Sequence, residues 1–559
     1  MTVLDRTGIH SMALNLAKQK ILIVEDAREM RNSLISLTKS MGAQSVYEAK
    51  SGDEAITQLQ THAIDIVLCD YYLGPGRDGQ QVFEEAKEFG MIAPHTIFIM
   101  ITADNTMNVV MAVAEHSPDD YLIKPLNKFG LESRIEKVLH RKRMFKEIEA
   151  KTTEGAYGKA LAICDLMAER NPKLRFDLMR MKAEILFLDG DTEGVAELCA
   201  GILMEREVAW ATIFMGRVRY LAGDVVKARQ LFNKAIEQNH ASMEAYDWLI
   251  RVERENGDLL TAQKTLEQAV QLSPKSISRQ QVLADVAVEN GDHPTARKAF
   301  NAAVELGHHS CLARVEDQIG LINAVAETGG ANEALEVIEA LNRARVKNRS
   351  SKSDKPEWPL HLSHGQLLLA SQRANEGKNS IERALSGYYE QVCDSQNPAG
   401  IALAKSCYAV GMREEGQKLV DRIIRENHDN EAVIEAVRAM FNELGMDSLG
   451  NDLIDTARRA VVEINNRGVG LAKEGELADA IELLTQASDE LPGNLTIALN
   501  VLQVVFGQIK QAGYSNQRQY LLNEYLTRAA RIDAQHPTFV KLKEKVESLQ
   551  QARVQAVVA

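Results

Sequence analysis

Two adjacent acids, Glu25 and Asp26, close the apolar run "ILIV" in "ILIVEDA". A run that short suits a buried strand, so its charged end must emerge at a sheet edge. Comparable strand ends carry Asp70 ("IDIVLCD"), Thr102 ("TIFIMIT") and Lys124 followed by Pro125 ("DDYLIKP"). Three carboxylates need a divalent cation to offset their repulsion, and a hard, oxygen-ligating ion that keeps several waters, Mg²⁺, fits them. The metal, the Thr102 hydroxyl and the Lys124 ammonium would then surround a phosphoryl group on Asp70 and neutralise charge during its transfer. Glu25 and Asp26 are placed to hold the metal, which leaves Asp70 as the nucleophile.

The elements that must position these groups run from Lys20 to about His140. "ILIV" is followed by the amphipathic "AREMRNSLISLTKSMG", with Gly42 as a helix stop. "SVYEA" reads as a second strand, "SGDEAITQLQTH" as a helix capped by Ser51, and "IDIVLCD" as a third strand. "TIFIMIT" and "DDYLIKP" supply two more strands, and "KFGLESRIEKVLHRKR" closes the domain as a helix. Five strands alternating with five helices predict an α/β domain, a doubly wound parallel sheet. Ligands of such sheets collect outside the carboxyl ends of the strands.

This segment resembles the CheY-like receiver domain of two-component response regulators, a flavodoxin-like fold. The residues carrying the resemblance are "VED" ending at Asp26, "LCDYYL" around Asp70, "ITA" with Thr102, and "DDYLIKP" with Tyr121 and Lys124. The resemblance implies that Asp70 accepts phosphate from a histidine kinase or phosphotransfer protein. It implies Mg²⁺ bound by Glu25, Asp26, Asp70 and the backbone carbonyl of Tyr72. It also implies contacts of Thr102 and Lys124 with the phosphoryl group, and a switch in which Tyr121 reorients as Thr102 moves. The loop "YYLGPGRDG" is a residue longer than the common family form, and "EHSPDDY" replaces the usual small residues before the fifth strand. The same loop contains GxGxxG (Gly74, Gly76, Gly79), but it follows the third strand, includes Pro75, and sets Asp70 and Asp78 beside any bound anion. A dinucleotide fingerprint needs the first strand-to-helix turn, so these glycines read as turn formers and no cofactor besides Mg²⁺ is expected.

The remainder of the 559-residue chain is rich in Ala, Leu, Glu and Gln, which favours helix. Gly223, Gly257 and Gly291 recur every 34 residues, each followed by Asp. Each is followed in turn by Ala228, Phe232 and Ala235, by Ala262, Leu266 and Ala269, or by Ala296, Phe300 and Ala303. Those spacings place a bulky residue between two small ones on one helix face, where helices can cross closely. The pattern resembles the tetratricopeptide repeat (TPR), which implies an all-α solenoid. Gly468, Gly475, Ala480, Leu484, Ala487 and Pro492 make another copy. Weaker copies are marked by Gly155/Ala160/Pro172, Gly190, Gly329/Ala334, Gly365/Ala384, Gly411 and Gly445/Ala457, for roughly eight to ten helix pairs. The expected domains are an N-terminal extension at 1–17, the receiver at 18–142, repeats at 143–345, a basic exposed loop at 346–357, repeats at 358–550 and a tail at 551–559. Trp210, Trp248 and Trp358 read as core at helical spacing. His308 and His309, being adjacent, point to different helix faces and do not make a metal pair.

Net charge is −13 with no long basic block, which argues against nucleic acid as a partner. Six cysteines lack any metal spacing and suit a reducing compartment. No run of about 18 apolar residues suggests membrane insertion, and the N-terminus lacks an apolar leader core. The expectation is therefore a cytoplasmic regulatory protein rather than an enzyme, catalysing only phosphorylation and dephosphorylation of its own aspartate. It would act by protein–protein contacts of the TPR surface, with the kinase or a sister regulator as candidate ligands and a modulated phosphotransfer in its pathway as the outcome. A phosphate sink for a shared kinase and a constitutive scaffold with a silent receiver are the alternatives, and a homodimer is left open.

Overall fold

The computed structural model describes residues 16–93, 95–103, 118–347, 357–390 and 398–558. The expected helix between the fourth and fifth strands, nearly all of the 1–17 extension and most of the basic loop at 346–357 lie outside these residues. By its contacts the chain divides into two compact units, Met1–Ala324 and Val325–Ala559.

The first unit begins with an α/β domain: β1 (Lys20–Val24), α1 (Arg28–Ser40), β2 (Ser45–Ala49), α2 (Gly52–Thr61), β3 (Ile66–Asp70), α3 (Gly79–Glu88), β4 (Ile97–Thr102), β5 (Asp120–Ile123) and α4 (Lys128–Thr153). The strands form one parallel sheet in the order β2-β1-β3-β4-β5. Period-two alternation splits the sheet between two apolar cores. Leu22, Val24, Val67, Phe98 and Met100 pack on one face with Ala55, Ile56, Leu59, Val82 and Phe83 from α2 and α3. Ile21, Ile23, Ile66, Leu68, Ile97 and Ile99 pack on the other with Leu34 of α1 and Leu131, Ile135 and Val138 of α4. Burial on both faces is why these strands are almost wholly apolar. The closing helix α4 runs past residue 142 to Thr153, and Phe145 and Ile148 in its extension join the core of the next helices.

Helices then follow in sequence-adjacent pairs: α5 (Tyr157–Arg170), α6 (Arg175–Asp189), α7 (Thr192–Glu205), α8 (Ala209–Leu221), α9 (Val225–Gln238), α10 (Met243–Glu255), α11 (Leu259–Leu272), α12 (Ile277–Glu289) and α13 (His293–Leu306), each packed on the next. The Gly-Asp pairs explain the turns. Gly223, Gly257 and Gly291 have φ of +76°, +77° and +74°, a left-handed conformation that ends a helix at little cost only in glycine. The following Asp224, Asp258 and Asp292 each cap the next helix, accepting from the backbone N–H of Lys227, Thr261 and Thr295. The alanine and phenylalanine or leucine positions predicted to share a face are all buried. At Gly216 an added Cβ would lie 2.6 Å from the Phe232 ring, so the bulky residue of one helix fills the space that glycine leaves on its neighbour. A helix at Val315–Lys347 is broken at Gly330 (φ +84°), one residue beyond the glycine marked in the sequence.

Within the second unit, helices at Trp358–Ala370, Ala374–Glu390, Pro398–Ala409, Arg413–Glu426 and Glu431–Glu443 surround one core. Helices at Leu477–Glu490, Leu495–Ala512, Asn516–Asp533 and Pro537–Val558 surround a second. The helix Asp447–Glu474 contributes to both, through Ile454 and Ala457 to one and Val461 to the other. Trp358 is buried there, while Trp210 and Trp248 are half-buried.

Candidate functional site

The central strands β1 and β3 are neighbours, so their carboxyl ends bring Glu25, Asp26 and Asp70 together. One oxygen from each of the three lies within 4.8 Å of the others. Glu25 and Asp70 are buried at 1% and 6% exposure, whereas Asp26 faces solvent. Lys124, just past β5, reaches across the sheet edge: its Nζ donates to Glu25 Oε2 at 2.8 Å and to Asp70 Oδ2 at 2.8 Å. Thr102 ends β4, fully buried beside β3, and its carbonyl accepts from the Lys124 backbone N–H at 2.8 Å. Tyr121 stands half-buried on β5, against the core that includes Phe98 and Met100. The Tyr72 side chain is exposed on the loop after Asp70.

Burial pushes the Glu25 carboxyl above its usual 4.5, opposed by the Lys124 hydrogen bond and reinforced by the Asp70 charge. Burial disfavours the Lys124 ammonium, but its bonds to Asp70 and Glu25 prevail and hold its pKa above 10.5. The Cys69 thiol is pushed far up by complete burial and by the charges of Asp70, Asp78 and Glu25, so it is an inert wall of the site. The donor set suits a hard cation, since three carboxylates converge and one of them is open to water. In that arrangement Glu25, Asp26 and Asp70 could hold a divalent metal ion.

Of the residues that support the site, Arg31 carried no signal in the sequence, while the loop glycines read there as turn formers. Arg31 donates to the Glu25 carbonyl at 2.9 Å and the Asp26 carbonyl at 3.3 Å, fixing the turn between β1 and α1. Gly79 sits where a Cβ would lie 2.1 Å from the Asp70 carbonyl oxygen, so the loop can close on β3 only with glycine there. Gly74 and Gly76 take φ of +71° and +109°, and a Cβ on Gly74 would approach Asp26 Oδ2 at 3.1 Å. The glycines of the GxGxxG string thus fold the loop over the acids. Asp78 caps α3 in a capping box with Gln81.

Comparison with known proteins accords with this geometry. A family model described as the response regulator receiver domain matches residues 21–136. Residues 21–136 are a response regulator receiver domain. The chain is 27% identical over 122 residues to the chemotaxis protein CheY of Pseudomonas aeruginosa, covering 22% of this chain and 97% of that one. It is 33% identical over 127 residues to the probable transcriptional regulator ycf27 of Cyanidium caldarium, covering 23% and 49%. It is 30% identical over 128 residues to the transcriptional regulatory protein CiaR of Streptococcus pneumoniae, covering 23% and 54%. The chain therefore spans about half the length of these two transcriptional relatives. Among solved structures, CheY4 of Vibrio cholerae matches at 21% identity over 22% of this chain and 98% of its own, with a TM-score of 0.20. The receiver has the CheY-like fold, and the helices after it are consistent with an all-α solenoid. No helix among the described residues is long and apolar enough to cross a membrane.

Proposed function

We propose that this chain is a phosphorylation-controlled response regulator that accepts a phosphoryl group on Asp70 from a histidine kinase or phosphotransfer protein. An Asp70 carboxylate oxygen attacks the phosphorus of the donor phosphohistidine. The P–N bond breaks, its electron pair stays on the imidazole nitrogen, which takes up a proton, and an acyl phosphate is left on Asp70. Glu25, Asp26, Asp70 and the Tyr72 carbonyl are the residues that would hold Mg²⁺, which when bound offsets the charge of the carboxylates and the incoming phosphoryl oxygens. Lys124 then neutralises a phosphoryl oxygen, and the Thr102 hydroxyl donates to another, with Tyr121 following Thr102. The observation that carries this reading is the Lys124 ammonium held 2.8 Å from both Glu25 and Asp70, beside a third carboxylate.

The helical region acts, in this reading, as a TPR-type surface that binds a signalling protein in the cytoplasm. Its 34-residue recurrence and its Gly-Asp turns support the repeat class. The domain limits at 18–142, 143–345 and 358–550 remain part of this proposal. Incubation with acetyl phosphate and Mg²⁺ tests it: intact mass should show one added phosphoryl group on the wild type and none on Asp70→Asn or after chelation. Equal labelling of wild type and Asp70→Asn would refute the assignment.

A further inference from the structure

Within the first unit the receiver touches the helical repeats through the loop that leaves Asp70. Tyr71, the residue after Asp70, is fully buried, and its backbone is fixed by a bond from its N–H to the Ile101 carbonyl at 2.7 Å and one to its carbonyl from Gly79 at 2.9 Å. Its hydroxyl donates to Gln80 Oε1 at 3.1 Å and accepts from Lys275 Nζ at 3.2 Å. Lys275 lies in the turn between α11 and α12, and its Nζ stands 4.8 Å from the Tyr71 ring centroid and 5.3 Å from that of Tyr72. Burial pushes the Asp78 carboxyl up, and the Lys275 charge opposes that by favouring its ionised form. A second tie comes one repeat later, where Gln81 Nε2 donates to the Leu306 carbonyl at 3.1 Å. Lys275 and His309 are 34 residues apart, so two successive inter-repeat turns meet the receiver along one edge of the helical block. His309, held below 6.5 first by burial, also senses the charges of Asp53 and Arg77. Cys311, pushed up first by burial, senses those of Glu85, Glu84 and Glu88, which extends the same seam.

We propose that Lys275 is a positioning residue for the phosphoacceptor loop: a repeat-borne ammonium, clamped on Tyr71 and Tyr72, that couples negative charge at Asp70 to the first helical block. The inference rests on Asp70 being the phosphoacceptor. Its sign follows from charge. Lys275 is a cation over two aromatic faces beside Asp78, and further negative charge one residue from Tyr71 attracts it, so loading Asp70 tightens the joint. By linkage, the joint favours the loaded state by the same factor. The phosphorylated receiver thus holds its repeats more firmly.

The test uses the full-length chain. Beryllium fluoride, as a phosphoryl mimic, is titrated with Mg²⁺ against the wild type, Lys275→Ala, Lys275→Arg and Gln81→Ala, with binding read by fluorine NMR. Hydrogen–deuterium exchange follows peptides spanning 71–81 and 271–276 before and after loading. The expected result is an affinity roughly two- to five-fold weaker in Lys275→Ala, the range of one cation–π contact, with Lys275→Arg near the wild type. Exchange in 71–81 should be faster in unloaded Lys275→Ala and Gln81→Ala, and loading should slow exchange at 271–276 in the wild type and Lys275→Arg but not in Lys275→Ala. Equal affinity and equal exchange in wild type and Lys275→Ala overturn the inference, and so does loading that leaves 271–276 unchanged. If the wild type neither binds the mimic nor takes phosphate from acetyl phosphate, the phosphoacceptor reading fails and the coupling with it, while exchange in the unloaded proteins still decides whether the joint exists.

Discussion

Lys124 bonds to two buried carboxylates at the sheet edge, Glu25 and Asp70, and its removal leaves them facing each other. Lys124→Met should destabilise the receiver by about 3 kcal/mol at neutral pH, the scale of a buried pair that loses one partner. Chemical denaturation followed by a receiver-specific probe checks this. The loss should shrink in acid, because Glu25 has a raised pKa in the fold. A carboxyl raised above its unfolded value contributes stability that is complete below 4.5 and is lost as pH rises through the folded value. Glu25→Gln should therefore flatten the decline of receiver stability above pH 4.5, measured by melting across pH without divalent ions. Unchanged pH dependence in Glu25→Gln would count against its burial beside Asp70. These residues were legible in the sequence because charge at the end of an apolar run has few structural uses. Arg31 and Lys275 were not, and Gly79 read only as a turn former. Arg31 looks like any exposed helix residue, Gly79 needs glycine only because the loop closes on Asp70, and the distance from Tyr71 to Lys275 along the chain hides their contact.

The helices depend on turns as much as on faces. Asp292 accepts from the Thr295 N–H and takes a 2.7 Å bond from Gln263, and its carboxyl is held below 3.8 chiefly by the Thr295 side chain. Asp292→Ala should cost about 1 kcal/mol, as loss of a helix cap does. Phe232, fully buried between Ala228 and Ala235, should cost about 3–5 kcal/mol on truncation to Ala through the cavity it leaves. Urea titration of the full chain measures both, and a Phe232 loss no larger than that of Asp292 would contradict the packing. The parallel sheet and the turns of the central helices could be read beforehand because strand ends and Gly-Asp turns have local chemical causes. The continuous helix at Asp447–Glu474 could not, since Gly468 sits inside it rather than at a turn, at a close approach where an added Cβ would lie 2.5 Å from Leu484. A glycine serves either purpose, and only the fold distinguishes them.

At the level of the whole chain, the second unit should weaken in mild acid. In the second unit His364 and His428 are held below 6.5 chiefly by burial. Histidines lowered in the fold contribute stability above the unfolded value of 6.5 that is lost as pH falls through the folded one. Melting of the second unit should thus move to lower temperature below pH 6.5, and replacing both histidines by Gln should remove that shift. The overall charge of −13 likewise predicts no salt-dependent binding to random duplex DNA, tested by anisotropy at low salt. The central claim is that the acids gathered at the sheet edge serve to phosphorylate Asp70. Borohydride trapping of the acetyl-phosphate-treated protein, followed by peptide mapping, measures this directly. Reduction of an acyl phosphate should yield homoserine at position 70 and nowhere else, whereas trapping at another carboxylate, or at none, would contradict the account.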